Sequence, residues 1–179
     1  MATKITTGKV RFSYVTLAQP KASEEGATPK YSVVLLIPKS DTATVQKIKQ
    51  AITEAGDAFR ARNGAASLPS NPMSPIHDGD GQKPNGGDYG DECKGCWVMN
   101  ASSTTKPLML DSFSNEIDPN EIYSGCFGRA VINFYGYNNR RKGIGCGLLG
   151  VKKLHDGDPL GGVMATADDF EDDDDDLLG

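Results

Sequence analysis

The sequence contains no apolar run that approaches the roughly 20 residues a helix needs to cross a bilayer. Its first ten residues, MATKITTGKV, have no apolar core of the kind found in secretory signal peptides. It also lacks a nucleophile elbow, a Walker loop, a dinucleotide fingerprint and a zinc-protease motif. These absences predict an intracellular, cytoplasmic protein that is not an enzyme and does not contact a membrane.

Histidine is scarce, and both copies stand in the same four-residue pattern. His77-Asp78-Gly79-Asp80 recurs as His155-Asp156-Gly157-Asp158. Imidazole and carboxylate groups together suit a divalent metal, which keeps a metal-dependent nuclease open as an alternative. Asp-Gly is also ordinary turn chemistry, so the pattern does not by itself predict a metal site.

Four cysteines are present, and only one close pair occurs among them. Cys93 and Cys96 have zinc-knuckle spacing, but no second pair follows, and Cys126 and Cys146 stand singly in predicted strands. Structural zinc needs four converging ligands. Free thiols in a reducing cytoplasm are therefore favoured, no cofactor is predicted, and Cys93 and Cys96 are kept as zinc candidates.

The charge is unevenly distributed along the chain. The formal net charge is −5, yet eight of the 24 acidic residues lie in the stretch 168–176. The sixteen that remain are outnumbered by nineteen Lys and Arg, so the body is mildly basic. Because a block of like charges cannot pack, we predict a domain at 1–162 followed by a disordered acidic tail at 163–179.

Strand and helix signals alternate through the first half of the chain. Strands are predicted at 9–18, where Pro20 is expected to stop the strand, at 30–37 and at 96–102, and 106–110 is expected to continue or pair with the last of these. An apolar stripe at helical spacing predicts one helix over 40–62, capped by Ser40 or Asp41 and ended by Gly64. The proline- and glycine-rich stretch 65–92 is predicted to be a long functional or mobile loop.

The segment 123–154 is predicted to form a β-hairpin with a basic tip. Its first strand alternates small apolar residues with Arg, Asn and Tyr, and the turn 138–142 carries three consecutive cations. Cations beside exposed aromatics suit single-stranded nucleic acid, because cations meet phosphates and rings stack on bases. About five strands and one helix with long loops predict a mainly β protein, an OB-fold-like five-stranded antiparallel barrel.

Several stretches together resemble one known family. They are RFSYV at 11–15, PKYSVVLLIPKSD at 29–41, HDGD at 77–80, NASS at 100–103, YSGCFGRAVINFYGYN at 123–138, KGIGCGLLGVKKLHDGDPLGG at 142–162 and the acidic tail. The family is that of phage-encoded single-stranded DNA-binding proteins, long catalogued as a domain of unknown function. The resemblance implies an OB-fold, DNA binding without strong sequence preference, and a role in bacteriophage DNA replication or recombination in the host cytoplasm.

We predict the DNA contacts from the hairpin and the strand ends. The first set is Arg129, Tyr135, Tyr137, Arg140, Arg141 and Lys142, and the second is Arg11, Tyr14, Lys30, Tyr31 and Lys152. The acidic residues of the tail imitate phosphates and are expected to compete with DNA for the basic face. With the aromatic residue among them they are Asp168, Asp169, Phe170, Glu171, Asp172, Asp173, Asp174, Asp175 and Asp176.

The expected partners are single-stranded DNA, replication or recombination proteins reached through the tail, and further copies of the chain in a dimer or cooperative array. Phe170, Leu177 and Leu178 are the tail residues expected to dock on partner proteins. The alternative from another class is a phage structural or assembly protein, a protein-interaction module without nucleic-acid function.

Overall fold

The computed structural model describes residues 3–160 and divides them into eight strands, one α-helix and two short 3-10 turns. The strands and helix are β1 (Lys4–Thr6), β2 (Val10–Lys21), β3 (Lys30–Pro38), α1 (Thr42–Asn63), β4 (Ile76–Asp78), β5 (Cys96–Ser103), β6 (Leu108–Leu110), β7 (Phe127–Asn138) and β8 (Lys142–His155). The 3-10 turns are Asp91–Cys93 and Pro119–Glu121. The predicted tail at 163–179, with the last residues of the predicted domain, lies outside the described residues.

Five of these strands are long, and they close into a ring. β2 pairs with β3, β3 with β5, and β7 with β8, all antiparallel. The start of β7 returns to β2 at Val10↔Gly128, and β5 meets β8 at Ser102↔Gly147. The prediction of a mainly β, barrel-like fold with one helix is confirmed, with the difference that the β5–β8 contact is parallel.

The core fills this ring and is formed by alternate residues of its strands. Val33, Leu35 and Ile37 of β3 are fully buried inside. Leu36 points to the outer face but is also buried, because it packs with Cys93 and Val98 there. The near-continuous apolar run of β3 thus reflects burial on both faces at this end of the strand.

Helix α1 packs its apolar stripe against β7. Asp41 Oδ1 accepts a hydrogen bond from the Thr44 backbone N–H at 3.2 Å, and Gly64 ends the helix with φ 101°. At the contact, Phe59 lies so close to Gly136 that a Cβ there would be 2.6 Å from it. No helix within residues 3–160 combines the length and the apolar character required to cross a membrane.

Two predicted details are wrong. Pro20 does not stop the first strand, because it lies at the far end of β2, beyond a bulge, where a missing N–H is tolerated. β6 pairs in parallel with β8, not with β5. Two short strands were not predicted: β4, which lies within the stretch 65–92 and pairs with β5, and β1, which pairs with β7. Three-residue strands are too short to show a periodic pattern.

Candidate nucleic-acid interface

A polar groove runs across the outer faces of β3, β5 and the first half of β8. It consists of two recesses of about 580 and 660 Å³ that share Asn100 and Ser102. The first is also lined by Thr16, Lys21, Ala22, Ser23, Ala27, Thr28, Lys30 and Ser32. The second is also lined by Met73, Ser74, Pro75, His77, Pro84, Tyr135, Tyr137, Arg141, Ile144, Gly145 and Cys146. Because the two recesses have these two residues in common, we describe the two recesses together as the groove.

The register of the sheet explains the polar floor of the groove. Ser32 pairs with Ser102, so both side chains lie on the same face of the sheet. The next pair, Val33 and Ala101, is fully buried in the ring. Small polar side chains therefore alternate with core residues, and they leave a shallow surface on which hydroxyl and amide groups can meet a ligand.

Two tyrosines lie over glycines at the far end of the groove. Tyr135 pairs with Gly145, where a Cβ would stand 2.7 Å from the ring. Tyr137 pairs with Gly143, where a Cβ would stand 2.8 Å from the phenol oxygen. The glycines thus leave room for the rings to lie against the strand, and Tyr135 remains 43% exposed. Such a ring has a free face on which a base can stack.

The basic turn between β7 and β8 projects beside these rings. Asn139 closes it: its N–H donates to the Arg141 carbonyl at 3.1 Å, and its side-chain oxygen accepts from the Arg141 N–H at 3.3 Å. Arg140, Arg141 and Lys142 are exposed and form no ion pair with any described residue. Three uncompensated cations therefore stand at one end of the groove, with Arg141 lining it.

His77 is the titratable group that the sequence did not place in this site. It lines the second recess, and burial lowers the pKa of its imidazole below the ordinary value of 6.5. The two carboxylates that follow it are engaged elsewhere: Lys39 Nζ lies 2.6 Å from Asp78 and 2.7 Å from Asp80. These ion pairs hold the pKa of both carboxyl groups below the usual range.

The cysteines do not assemble a metal site in the described part of the chain. Cys93 and Cys96 are free thiols, and burial raises the pKa of each. Burial also raises the pKa of Cys146 to about 12. No cluster of three or more His, Cys, Asp and Glu suited to a metal ion occurs within residues 3–160.

The remaining predicted contacts are spread over the surface. Lys30 lines the first recess, whereas Tyr31 packs partly buried against the core. Arg11 is held by the carbonyls of Gly125 and Asp158, at 3.1 and 2.7 Å. Tyr14 is 74% exposed, with a positive φ of 45°, at a β2 bulge outside the groove.

Arg129 and Lys152 line a different recess, which shares no residue with the groove. Conversely, sequence reasoning missed the polar residues of the groove floor: Ser32, Asn100 and Ser102. The alternation of small polar residues with buried ones in VMNASS was the signal that could have found them.

Comparison with known proteins places the chain among phage proteins. The family model described as "Enterobacter phage Enc34, ssDNA-binding protein" matches residues 3–178. The protein p50 of Acyrthosiphon pisum secondary endosymbiont phage 1 is 31% identical over 180 residues, covering 94% of this chain and 93% of p50.

Solved structures agree with this assignment. The single-stranded DNA-binding protein from bacteriophage Enc34 in complex with ssDNA is 34% identical with a TM-score of 0.78, over 89% of this chain and 90% of that one. The single-stranded DNA-binding protein gp2.5 of bacteriophage T7 shares the fold at 14% identity with a TM-score of 0.60, over 91% of this chain and 97% of that one. The chain thus belongs to the family of the Enterobacter phage Enc34 ssDNA-binding protein.

Proposed function

We propose that this protein coats single-stranded DNA, largely without sequence preference, by holding it in the groove. The observation that carries the proposal is the groove itself, which joins a polar floor to two tyrosine rings and a cationic turn. The complex of the Enc34 relative with ssDNA supports the same assignment. The protein acts without catalysis in this proposal, during phage DNA replication or recombination in the host cytoplasm.

The groove residues suit a ligand that is recognised through its phosphate backbone and the faces of its bases. Lys21 and Lys30 stand at one end and Arg141 at the other, so phosphates can be neutralised at both ends of the groove. Tyr135 and Tyr137 offer ring faces, and each stacked base contributes roughly 1–3 kcal/mol. Every base has such a face, and phosphates are the same at every nucleotide, which makes the binding tolerant of sequence.

The acidic tail is proposed to compete with DNA for the groove and to contact replication or recombination proteins. The last described residue, Leu160, donates its N–H to the Ser124 carbonyl at 2.8 Å and packs beside Leu36 and Val98 on the outer face. β3 and β5 present that same face to the groove, so the following residues start within reach of it. The dimer or cooperative array remains a prediction.

The test is fluorescence anisotropy of labelled oligo-dT with the full chain at two salt concentrations. We expect tight, salt-sensitive binding that a duplex competitor does not abolish. Tyr135→Ala/Arg141→Ala should weaken it at least about tenfold, the loss of one stack and one phosphate contact. The matched control is Phe113→Ala/Lys47→Ala, which removes an exposed ring and a helix cation outside the groove.

Either of two outcomes would contradict part of this proposal. Tight binding that is indifferent to the double substitution would keep the function and move the interface elsewhere. An absence of binding, also after removal of the acidic tail, would favour the assembly or protein-interaction alternative.

A further inference from the structure

A separate recess lies on the outer surface formed by β6, β7 and β8, and we call it the trough. It holds about 140 Å³ and is lined by Thr6, Leu108, Leu110, Arg129, Ala130, Val131, Gly150, Val151 and Lys152. None of these residues lines the groove. The trough can therefore take a partner while the groove holds another ligand.

The apolar floor of the trough follows from strand alternation at the edge of the sheet. Met109 is buried, so its neighbours Leu108 and Leu110 point away from the core, and Leu108 is 58% exposed. Leu108 pairs with Gly150, which in turn pairs with Val131. Since glycine has no side chain, a hollow remains between Leu108 and Val131. An engineered protein cavity of about 150 Å³ accepts benzene, so a recess of this size suits one aromatic ring.

Two cations stand together at one end of the trough. Arg129 pairs with Lys152 in the register of β7 and β8. Arg129 donates a hydrogen bond to the Thr7 carbonyl at 2.8 Å, and Lys152 donates one to the Ser114 hydroxyl at 2.9 Å. Neither cation forms a salt bridge within residues 3–160. The trough therefore fits a partner that offers an aromatic ring together with negative charge.

The loop beside the trough presents an aromatic ring. Phe113 lies in the turn 111–115 and is 85% exposed. The Asp111 carboxylate accepts hydrogen bonds from the Phe113 and Asn115 backbone N–H groups at 2.8 and 3.0 Å. The Asp111 N–H donates to the Asn115 carbonyl at 2.8 Å, which closes the turn. Because the turn is already ordered, burial of the ring against a partner costs little further conformational entropy.

The segment that carries Phe113 has the opposite charge to the rim of the trough. Residues 107–128 contain no Lys or Arg and four carboxylates, those of Asp111, Glu116, Asp118 and Glu121. Glu116 is exposed and forms no ion pair in the described part of the chain. The hydrogen bond from Lys152 to Ser114 holds this loop at the rim of the trough. A ring beside carboxylates and a hollow beside cations therefore lie next to each other on one face.

We propose that two copies of the chain meet through this face, with Phe113 of each copy in the trough of the other. The ring lies between Leu108 and Val131 of the other copy, and Glu116 faces its Lys152. Such a contact is self-complementary, since a protruding ring and a hollow that lie side by side satisfy each other across a two-fold axis. The exposure of Phe113 shows that the ring does not fill the trough of its own chain.

The size of the contact predicts a weak dimer. A buried aromatic side chain covers about 150–250 Å². Two rings and the two troughs that receive them therefore bury on the order of 600–1,000 Å² in total, less than the roughly 1,200 Å² at which stable interfaces begin. We expect a dimer that forms and dissociates with protein concentration.

The inference goes beyond the coating of DNA and gives the predicted dimer a defined interface. It assigns Arg129 and Lys152 to the contact between copies instead of to DNA. It does not depend on DNA binding, because the groove and the trough have no residue in common.

The test is sedimentation velocity of the full-length chain over a series of protein concentrations without DNA. We expect a monomer at the lowest concentrations and a dimer at the highest. Phe113→Ala removes the ring and Leu108→Ser makes the wall of the hollow polar, so each should raise the dissociation constant at least about tenfold. The matched control is Tyr14→Ala, which removes another ring, 74% exposed, away from the trough and should change nothing.

A charge exchange tests the orientation of the two copies. Lys152→Glu and Glu116→Lys should each weaken the dimer, since each places like charges opposite one another. Lys152→Glu/Glu116→Lys should restore it. The Ser114 hydroxyl can donate to a carboxylate at position 152 as readily as it accepts from Lys152, so the loop keeps its contact. Circular dichroism of each variant checks that the fold is retained.

Three results would overturn the inference: a monomer at every concentration up to the solubility limit, a dissociation constant indifferent to Phe113→Ala and Leu108→Ser, or a charge exchange that does not restore the dimer. Oligo-dT anisotropy on the same variants, with an oligonucleotide that holds one copy, should match the native chain. It separates a failure of the contact between copies from a failure of DNA binding.

Discussion

At the scale of single residues, the geometry of the groove depends on the absence of a side chain at its glycines. Gly145 lies under Tyr135, and any side chain there would push against the ring. The far end of a tyrosine ring can move more easily than backbone, so the displacement costs little stability but shifts the stacking surface.

We therefore expect Gly145→Ala to weaken oligo-dT binding several-fold, measured by fluorescence anisotropy, while the thermal midpoint changes little. The control on the same strand is Gly150→Ala, where the nearest heavy atom to the new Cβ, the Leu108 carbonyl oxygen, would be 3.3 Å away and the groove is not involved. Equal affinities for the two variants would show that the position of Tyr135 is unimportant for binding.

His77 gives the groove a pH dependence with a defined sign. Burial lowers its pKa, so the imidazole is neutral at pH 7 and gains a proton only at acidic pH. A bound phosphate favours the protonated form, so affinity for oligo-dT should rise as the pH falls from 7 towards 5.5.

Anisotropy titrations of the native chain and of His77→Gln across this pH range test the expectation. The affinity for oligo-dT should rise more in the native chain than in His77→Gln as the pH falls. The matched control is His155→Gln, because His155 stacks on Phe127 outside the groove. A pH profile that His77→Gln leaves unchanged would contradict the assignment.

At the scale of the element, the β7–β8 turn is the main exposed cationic feature of the groove. Each phosphate that a cation neutralises on a single strand adds about 0.7 to the slope of log affinity against log salt. Changing Arg140, Arg141 and Lys142 together to Ala should therefore lower the magnitude of this slope by about 2.

Salt titrations of oligo-dT binding measure the slope directly. The control replaces three exposed cations outside the groove, Lys47, Arg62 and Lys94, and should leave the slope nearly unchanged. If both triple variants lowered the slope equally, the turn would act only through the general charge of the protein.

A comparison of the predicted and observed elements shows which of them the sequence pattern predicts. The five long strands and the helix were predicted to within about four residues at most ends, because each repeats its period several times. The short strands β1 and β4 have no periodic signal and were not predicted, and β6, within the predicted stretch 106–110, pairs with β8 and not with β5.

At the scale of the whole molecule, charge is divided between a mildly basic body and an acidic end. If the tail competes for the groove, deletion of Asp168–Gly179 should tighten oligo-dT binding several-fold at low salt. The gain should shrink at high salt, where charge–charge interactions are screened.

Anisotropy of the native and shortened chains across a salt series provides the measurement. A shortened chain of unchanged affinity at low salt would exclude competition.

The sequence alone determined the β-rich fold, the helix, the basic hairpin and the separate acidic end. Each depends on residues close together in the chain, so periodicity and composition report them. Only the tertiary structure decided that Arg129 and Tyr135, on the same predicted face of β7, line different sites. β7 pairs along its length with β8, which meets β6 at 150–152 and β5 at Gly147. Pairing between residues distant in sequence therefore decides what each side chain of β7 meets.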